Sequence, residues 1–437
     1  MNLNKIAMIS SNQRAFQAER VVVHIPIGGV AKRLRPLTEE ISKPCIPFMN
    51  RTLLEIPMVD LAKEGVKRFI FGVKGYVNYK SLYESFGNGK KFSGKYDLPR
   101  IHIEYQPRLP DDMGSADSLR INMEYYNYLF DDLTPTIVFQ GDNIFDVRTN
   151  FSEILNYHLE KEAFMTIGLA CVDEVQEYGI ARLDKDGKIQ EFKEKPRRED
   201  IPSNFANAGL YIINQKIKDV FEQERVRQMI QGKRLDFGMD LIPYLIENGY
   251  DVYGYLLKGP WYDVGSIKRY LHATQEILSG RMVLDLGEQI QEGERIFIAG
   301  ISRKSKEARE SISKRYATSL IKLDAPVLLG KHCKIGNNIR ISNSCIGSYV
   351  EIRDNCSIEN SVIMDGVIVD DSTEISDSII GTYCLINSNP KEPTRIGSFS
   401  AIGDDVIIDA GSWIIASKIR PHSKILKGIY ESEDPYK

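Results

Sequence analysis

Apolar positions along this chain change their spacing, and each change marks a different kind of structure. From Arg20 to about Ser279, short β-rich runs such as "RVVVHIPI", "RFIFGV", "IHIEYQP", "TIVFQGD" and "FMTIGLACV" end mostly in Gly, Asp or Pro. Amphipathic stretches separate them, among them "TLLEIPMVDLAKEG" and "SADSLRINMEYYNYLF". Strand–helix alternation of this kind predicts an α/β domain with a mostly parallel sheet covered on both faces. "GIARLDKDGKIQEFKEK" departs from it, because two alternating strands flank Asp186-Gly187 and predict a β-hairpin.

After Pro326 the apolar step becomes six. Leu329, Ile335 and Ile341 hold it, Ile352 and Ile358 repeat it, and Ile396, Ile402, Ile408 and Ile414 keep it, with Gly397 and Gly403 directly behind two of them. A six-residue period with small or polar fillers predicts a β-helix solenoid, in which each coil stacks its apolar residue on the next. A β-sandwich does not hold so strict a period. "SNPKEPTR" interrupts the repeat and predicts an outward loop. Residues 280–325, with "SRKSKEARESISKR", are charged and uneven and read as a linker with little core of its own. The expected layout is a polar tail 1–19, an α/β domain 20–279, the linker 280–325 and a solenoid 326–430.

A chain of 437 residues exceeds one ordinary core, in agreement with that layout. Its 57 basic and 60 acidic residues leave a formal charge of −3. Nothing global draws it to nucleic acid or an anionic membrane, so any polyanion site must be local. No apolar run reaches the length of a bilayer span, and the first twenty residues lack the features of a secretory signal. Cysteines 45, 171, 333, 345, 356 and 384 form no CxxC pair and read as reduced, packed thiols of a cytoplasmic protein.

The candidate chemistry begins in "HIPIGGVAKRLRPLTEEISKP", residues 24 to 44. Gly28-Gly29 lets the backbone approach a ligand closely, since no Cβ intervenes. A helix starting nearby would add N–H groups and its dipole, and Arg33, Arg35 and Lys43 supply full charges for phosphate. By itself the same stretch also reads as a tight turn beside a solvated basic face. Asp142 and Asp263 each end an apolar, strand-like run, and in a parallel sheet such ends converge at one crevice.

"GGVAKRLRPLTEEISKP" resembles the GGxGTRLxPLTxxxxKP signature of the sugar-1-phosphate nucleotidyltransferases. "QPRLPDDMGSADSL", "VFQGDNIF", "EYGIARLDKDGKIQEFKEKP", "NAGLYII" and "WYDVGS" resemble further motifs of that family, in family order. "LDFGMDLIP" is similar to the ADP-glucose pyrophosphorylase-like branch. The resemblance implies a Rossmann-like nucleotidyltransferase domain followed by a left-handed β-helix of hexapeptide repeats. It implies attack of a sugar-1-phosphate oxygen on the α-phosphorus of a nucleoside triphosphate, with Mg²⁺ as cofactor and pyrophosphate released. By resemblance the catalytic residues are Arg33, Lys43, Asp142 and Asp263, and the two aspartates hold the metal. Gly28, Gly29, Ala31, Lys32, Gln106, Gly114 and Ser115 would contact the nucleotide. Gly179, Glu194, Lys195, Asn207 and Gly209 would contact the sugar phosphate.

The chain also departs from that signature. Ala31 stands for the third glycine, Lys32 for the threonine, and Pro26-Ile27 for the usual Leu-Ala. Alanine reaches positive φ less cheaply than glycine, so the turn either rearranges or carries strain on the order of 1 kcal/mol. ATP with glucose-1-phosphate is the leading substrate pair. GTP with mannose-1-phosphate, dTTP with glucose-1-phosphate, and a non-catalytic regulatory homologue that binds nucleotide or nucleotide-sugar are the alternatives. Acyl transfer in the solenoid would need a general-base histidine, and that region offers only His332 and His422. Homo-oligomerisation through the β-helix is the preferred reading of that domain, with no nucleic acid and no membrane as partner.

Overall fold

The computed structural model describes residues 18–108, 114–130, 134–232, 234–290, 293–300 and 302–436. Most of the expected tail 1–19, and the middle of "QPRLPDDMGSADSL", therefore lie outside the described residues. No helix among the described residues is long and apolar enough to cross a membrane. By spatial grouping the chain forms two compact units. One holds the described residues up to Gly29 with Leu54–Asp263, and the other holds Val30–Leu53 with Val264 onward.

The first unit is built on a nine-stranded sheet. Thr136–Phe139, Val22–Ile27, Arg68–Lys74 and His102–Arg108 are adjacent and parallel, with Ile25 opposite Phe71 and Phe71 opposite Tyr105. These strands are apolar almost throughout because both faces are covered, so they carry runs rather than alternation. Phe205–Ile213 then adds antiparallel to Thr136–Phe139, and Met165–Cys171 pairs with it on its other edge. The expected hairpin forms between Gly179–Leu183 and Ile189–Glu194, and Gly187 takes a positive φ of 85° at its turn.

In the second unit three ladders of short parallel strands make the β-helix. Ile341, Ile358, Ile375, Ile396 and Ile414 stack in register along one ladder, and Ile346, Ile363, Ile380, Ile402 and Ile419 along another. The third carries Ile335, Ile352, Val369, Ile386, Ile408 and Ile425. All belong to one continuous buried cluster. Corners turn on residues with positive φ such as Asn338, Asn343, Asn355 and Asn360, a conformation asparagine tolerates. Asn338 donates to Asn355 at 2.9 Å across 17 residues, whereas Glu374 and Arg395 face each other across 21. The extra length is the expected outward loop around "SNPKEPTR".

Residues 280–325 differ from the expected linker. Ile296–Ile298 pairs parallel with Ile321–Leu329, which pairs in turn with Ile339–Ile346, so the β-helix sheet starts well before Pro326. Arg303–Ala317 is an α-helix whose N-cap Ser302 accepts from the Ser305 amide at 3.2 Å. Only Ser305 and Ile312 of this helix are buried. Its apolar period is therefore almost absent, which is why charge and unevenness masked it. Arg315 fastens it to the first coil through the Ile335 and Gly336 carbonyls.

Five of the six thiols are buried as expected, and Cys171 is exposed. Burial pushes the Cys333, Cys345 and Cys384 thiols up to about 12, which keeps them protonated. Ile375 is 2% exposed in the middle of a ladder. Ile375→Ala should lower the unfolding free energy of this unit by about 2–5 kcal/mol in urea titrations. A midpoint equal to that of the wild type would show that the coils do not share one packed core.

Candidate functional site

Two aspartates far apart in sequence are set side by side by a ribbon separate from the main sheet. Asn143–Phe145 pairs antiparallel with Trp261–Asp263, and the register puts Asp263 opposite Asn143, the neighbour of Asp142. The convergence thus comes from antiparallel pairing, where the sequence pattern predicts parallel strand ends. Trp261 Nε1 donates to Asn143 Oδ1 at 3.1 Å and locks the ribbon, and Tyr178 packs edge-on against the indole at 5.1 Å. Both carboxylates are partly exposed. Their donor set fits magnesium: two hard oxygen ligands suit an ion that completes its shell with phosphate oxygens and water. Among the described residues no group of three or more His, Cys, Asp or Glu could hold a metal without such help.

The neighbouring strand Phe205–Ile213 carries Asn207, Gly209 and Tyr211. Its register shifts between Asn207 and Tyr211, and Gly209 takes a φ of 65° in that irregular stretch. Asn207 Nδ2 donates to the Tyr211 hydroxyl at 2.9 Å, and Asn207 Oδ1 accepts from the Gly209 amide at 2.9 Å. Tyr211 is 1% exposed and stacks on Phe237 at 4.6 Å. Burial raises its phenol far above the ordinary range, and the charges of Asp236, Glu194 and Asp142 raise it further.

Glu194 ends the hairpin strand directly opposite Gly179. A Cβ at Gly179 would come within 2.6 Å of Glu194 Oε2, and one at Gly238 within 2.5 Å. Glycine at both positions is what leaves room for the carboxylate. Lys195 follows with a positive φ of 48°, its amide donating to the Tyr178 carbonyl at 2.9 Å.

Gly114 has a φ of 122°, and a Cβ there would meet the Leu235 carbonyl oxygen at 2.6 Å. The helix Ser115–Tyr125 starts at once behind it. Ser115 is engaged with protein: its hydroxyl donates to Asp236 Oδ2 at 2.7 Å. Asp236 Oδ1 accepts from the Gly238 amide at 2.9 Å, so "GSADS" and "LDFGMD" are clasped together through one carboxylate. Gln106 is 9% exposed, and its Nε2 donates to the Pro107 carbonyl at 3.2 Å. Asp236, Tyr211 and Asn143 were not among the candidates. Each sits inside a quoted motif, but an isolated Asp, Tyr or Asn there has no spacing that distinguishes it.

Gly28 and Gly29 follow the strand Val22–Ile27, and a Cβ on Gly29 would meet nothing within 4 Å. Pro26 lies past the short pairing with Thr136–Phe139, which involves only Val23 and His24, so its missing amide interrupts no bond of that ladder. On the second unit the turn continues into Ala31, which keeps the left-handed conformation at φ 43° and ψ 46°. Its carbonyl accepts from the Leu34 amide and from Thr38 Oγ1, both at 2.9 Å. Strain on the order of 1 kcal/mol is thus stored and held rather than relieved by rearrangement. Only the three-residue 3₁₀ turn Lys32–Leu34 follows, so positive charge here comes from side chains, without the dipole that a helix starting there would add. Lys32 and Arg33 are exposed, and Lys43 is half-buried.

Burial raises the Glu194 carboxyl, and Asp236 adds to the rise while Lys195 opposes it. Because the folded state holds this proton more tightly, the associated stability is present below the ordinary carboxylate range and fades as pH rises through the raised value. Glu194→Gln should therefore gain melting temperature relative to wild type as pH goes from about 4 to about 7. A constant difference across that range, in thermal melts without ligand, would show that Glu194 is not held in a desolvated position.

Two family models match this chain: the nucleotidyl transferase model over residues 25–280 and the GMPPB C-terminal domain over residues 323–434. The glucose-1-phosphate adenylyltransferase of Mycoplasma mobile is 29% identical over 285 residues, covering 62% of this chain and 70% of its own. That of Clostridium novyi is 30% identical over 279 residues, covering 61% of this chain and 69% of its own. The first match spans more than half of the sequence and takes in the aspartate ribbon, the Glu194 hairpin and the glycine turn. This chain belongs to the nucleotidyl transferase family, as a sugar-1-phosphate nucleotidyltransferase.

Proposed function

We propose that the protein joins ATP to glucose-1-phosphate, forming ADP-glucose and pyrophosphate. The pairing of Asp142 with Asp263 across one short ribbon carries this reading, because the reaction brings two polyanions together. Mg²⁺, when bound by these carboxylates and the phosphates, supplies charge neutralisation and aligns the attacking and leaving oxygens. Arg33 is assigned to the triphosphate and the charge developing at the α-phosphorus, with Lys43 as a second phosphate cation. Gly28 and Gly29 admit the nucleotide to the backbone, and Lys32 adds a further cation for the triphosphate. Gln106, with Gly114 and Ser115, lines the base side. Glu194 accepts from sugar hydroxyls, Lys195 pairs with the sugar phosphate, and Asn207 with Gly209 closes over the ring. Little covalent chemistry is required of the protein, so its contribution is positioning and electrostatics.

The preserved left-handed turn at Ala31 supports turnover over a purely regulatory role, since the backbone keeps the shape that the third glycine normally allows. The β-helix is assigned to self-association. Its flank presents Trp413 and Ile429, respectively 39% and 70% exposed. Buried, protonated thiols suit a reducing cytoplasm.

Pyrophosphate release with Mg²⁺ should be greatest for ATP with glucose-1-phosphate in a grid of five nucleoside triphosphates against glucose-, mannose- and N-acetylglucosamine-1-phosphate. Asp142→Asn should lower kcat about a thousandfold, and Arg33→Ala by about 10²–10³. Activity confined to GTP with mannose-1-phosphate or to dTTP would reassign the substrates. Silence across the grid with nucleotide still bound would make the protein a regulatory homologue.

A further inference from the structure

The loop that carries Arg33 and Lys43 is gripped by the last coil of the β-helix, within the second unit. The Tyr436 ring lies between two guanidinium groups, Arg35 of the loop at 5.4 Å and Arg420 of the coil at 5.3 Å. Its hydroxyl donates to Glu39 Oε2. The next loop residue, Glu40, faces His422 Nε2 at 2.9 Å, while His422 Nδ1 faces Asp405 Oδ2 at 3.0 Å. Carboxylates at both ring nitrogens are satisfied together only by the imidazolium form, so the bridge is charged on both sides.

The segment presenting Tyr436 is itself built onto the coil. The Ser432 amide donates to the Ile415 carbonyl at 2.9 Å and the Glu433 amide to Ser417 Oγ at 3.0 Å. Lys418 pairs with Asp434 at 3.1 Å, and Arg420 Nη2 donates to the Pro435 carbonyl at 2.9 Å. Tyr436 is thus held rigidly against the coil before it reaches the loop.

Three loop residues make these contacts: Arg35, Glu39 and Glu40. In GGxGTRLxPLTxxxxKP they fall on positions that the signature leaves open, whereas Arg33, Leu34, Pro36, Leu37, Thr38, Lys43 and Pro44 occupy its defined ones. The clasp therefore uses the part of the loop that is particular to this chain. It also acts where the chain has lost its third glycine and stores strain at Ala31. A strained turn with two exposed cations loses nucleotide affinity if the loop samples other conformations, because only the competent fraction binds.

We propose that Tyr436, with His422 beside it, is a positioning residue for the nucleotide-binding loop, holding Arg33 and Lys43 in their binding geometry through Glu39, Glu40 and Arg35. This rests on the nucleotidyl transfer reading above, and it assigns to the β-helix end a direct part in nucleotide affinity. Ordering the loop before binding changes affinity alike for bound nucleotide and transition state, so the effect falls on KM and spares kcat.

The test uses the full chain and begins without ligand, by hydrogen–deuterium exchange of the peptide covering residues 30–45. Tyr436→Ala should speed exchange there about tenfold, the equivalent of ~1.4 kcal/mol, and should raise KM for ATP by a similar factor. Its kcat and its KM for glucose-1-phosphate should stay within about twofold of wild type. Tyr436→Phe, which keeps the ring with the arginines, should show a smaller rise, matched by Glu39→Ala, which removes the acceptor. The Tyr436→Phe/Glu39→Ala double variant should be no worse than either single change, since both remove the same hydrogen bond. Unchanged loop exchange in Tyr436→Ala would overturn the clasp. Faster exchange with unchanged KM for ATP, or additive single effects, would overturn the positioning role. A wild type that neither binds nor turns over nucleotide would defeat the functional reading itself, and the proposal with it, whereas the exchange measurement reports the clasp independently of activity.

Discussion

Two three-residue strands, Asn143–Phe145 and Trp261–Asp263, pair antiparallel beside the main sheet, and the carboxylate pair of the site depends on that short ladder. So few backbone hydrogen bonds would be marginal alone. The ribbon is reinforced by the indole–amide bond from Trp261 to Asn143 and by Tyr178 packed against the same ring. Around it, acidic groups are held by neighbours that leave them little choice. Glu194 stands between two glycines with no room for a side chain, and Asp236 is fixed by Ser115 and the Gly238 amide. Carboxylates whose positions are settled before any ligand arrives leave no reorganisation for a reaction that brings two polyanions together.

The glycine turn follows a different logic. Its cations sit on a turn whose third residue is alanine in a left-handed conformation, a local choice that opposes intrinsic preference. Two hydrogen bonds to the Ala31 carbonyl oppose relaxation from within the loop, and the Tyr436 and His422 contacts oppose it from outside. Local conflict is tolerated here because the surroundings over-determine the conformation, the condition under which strain persists at functional positions. The β-helix can supply such a fixed point because its coils stack in register with a continuous isoleucine core, so its last coil inherits the order of those before it.

Where a pattern repeats, the sequence was readable. Isoleucines at a step of six, fully apolar strands ending in Gly or Asp, and Asp186-Gly187 between alternating runs each report a periodic backbone, and all three features stand in the structure. The helix Arg303–Ala317 was illegible for the same reason reversed. Its fastening runs through arginines bonding to carbonyls, and Ile312 is the sole buried apolar residue it presents. Asp236 stayed unnoticed because a clasp between residues more than a hundred positions apart leaves no local trace.

Composition, period and motif order by themselves determined the two architectures, the polyanion chemistry and the family, because these reside in which residue types recur and in what sequence. Only the tertiary structure decided that the aspartates meet through an antiparallel ribbon, that Ala31 keeps its turn, and that the loop Val30–Leu53 groups with the β-helix. Those outcomes depend on side-chain contacts between distant segments. Such contacts are selected by packing and hydrogen-bond geometry in the folded state, and no spacing along the chain encodes them.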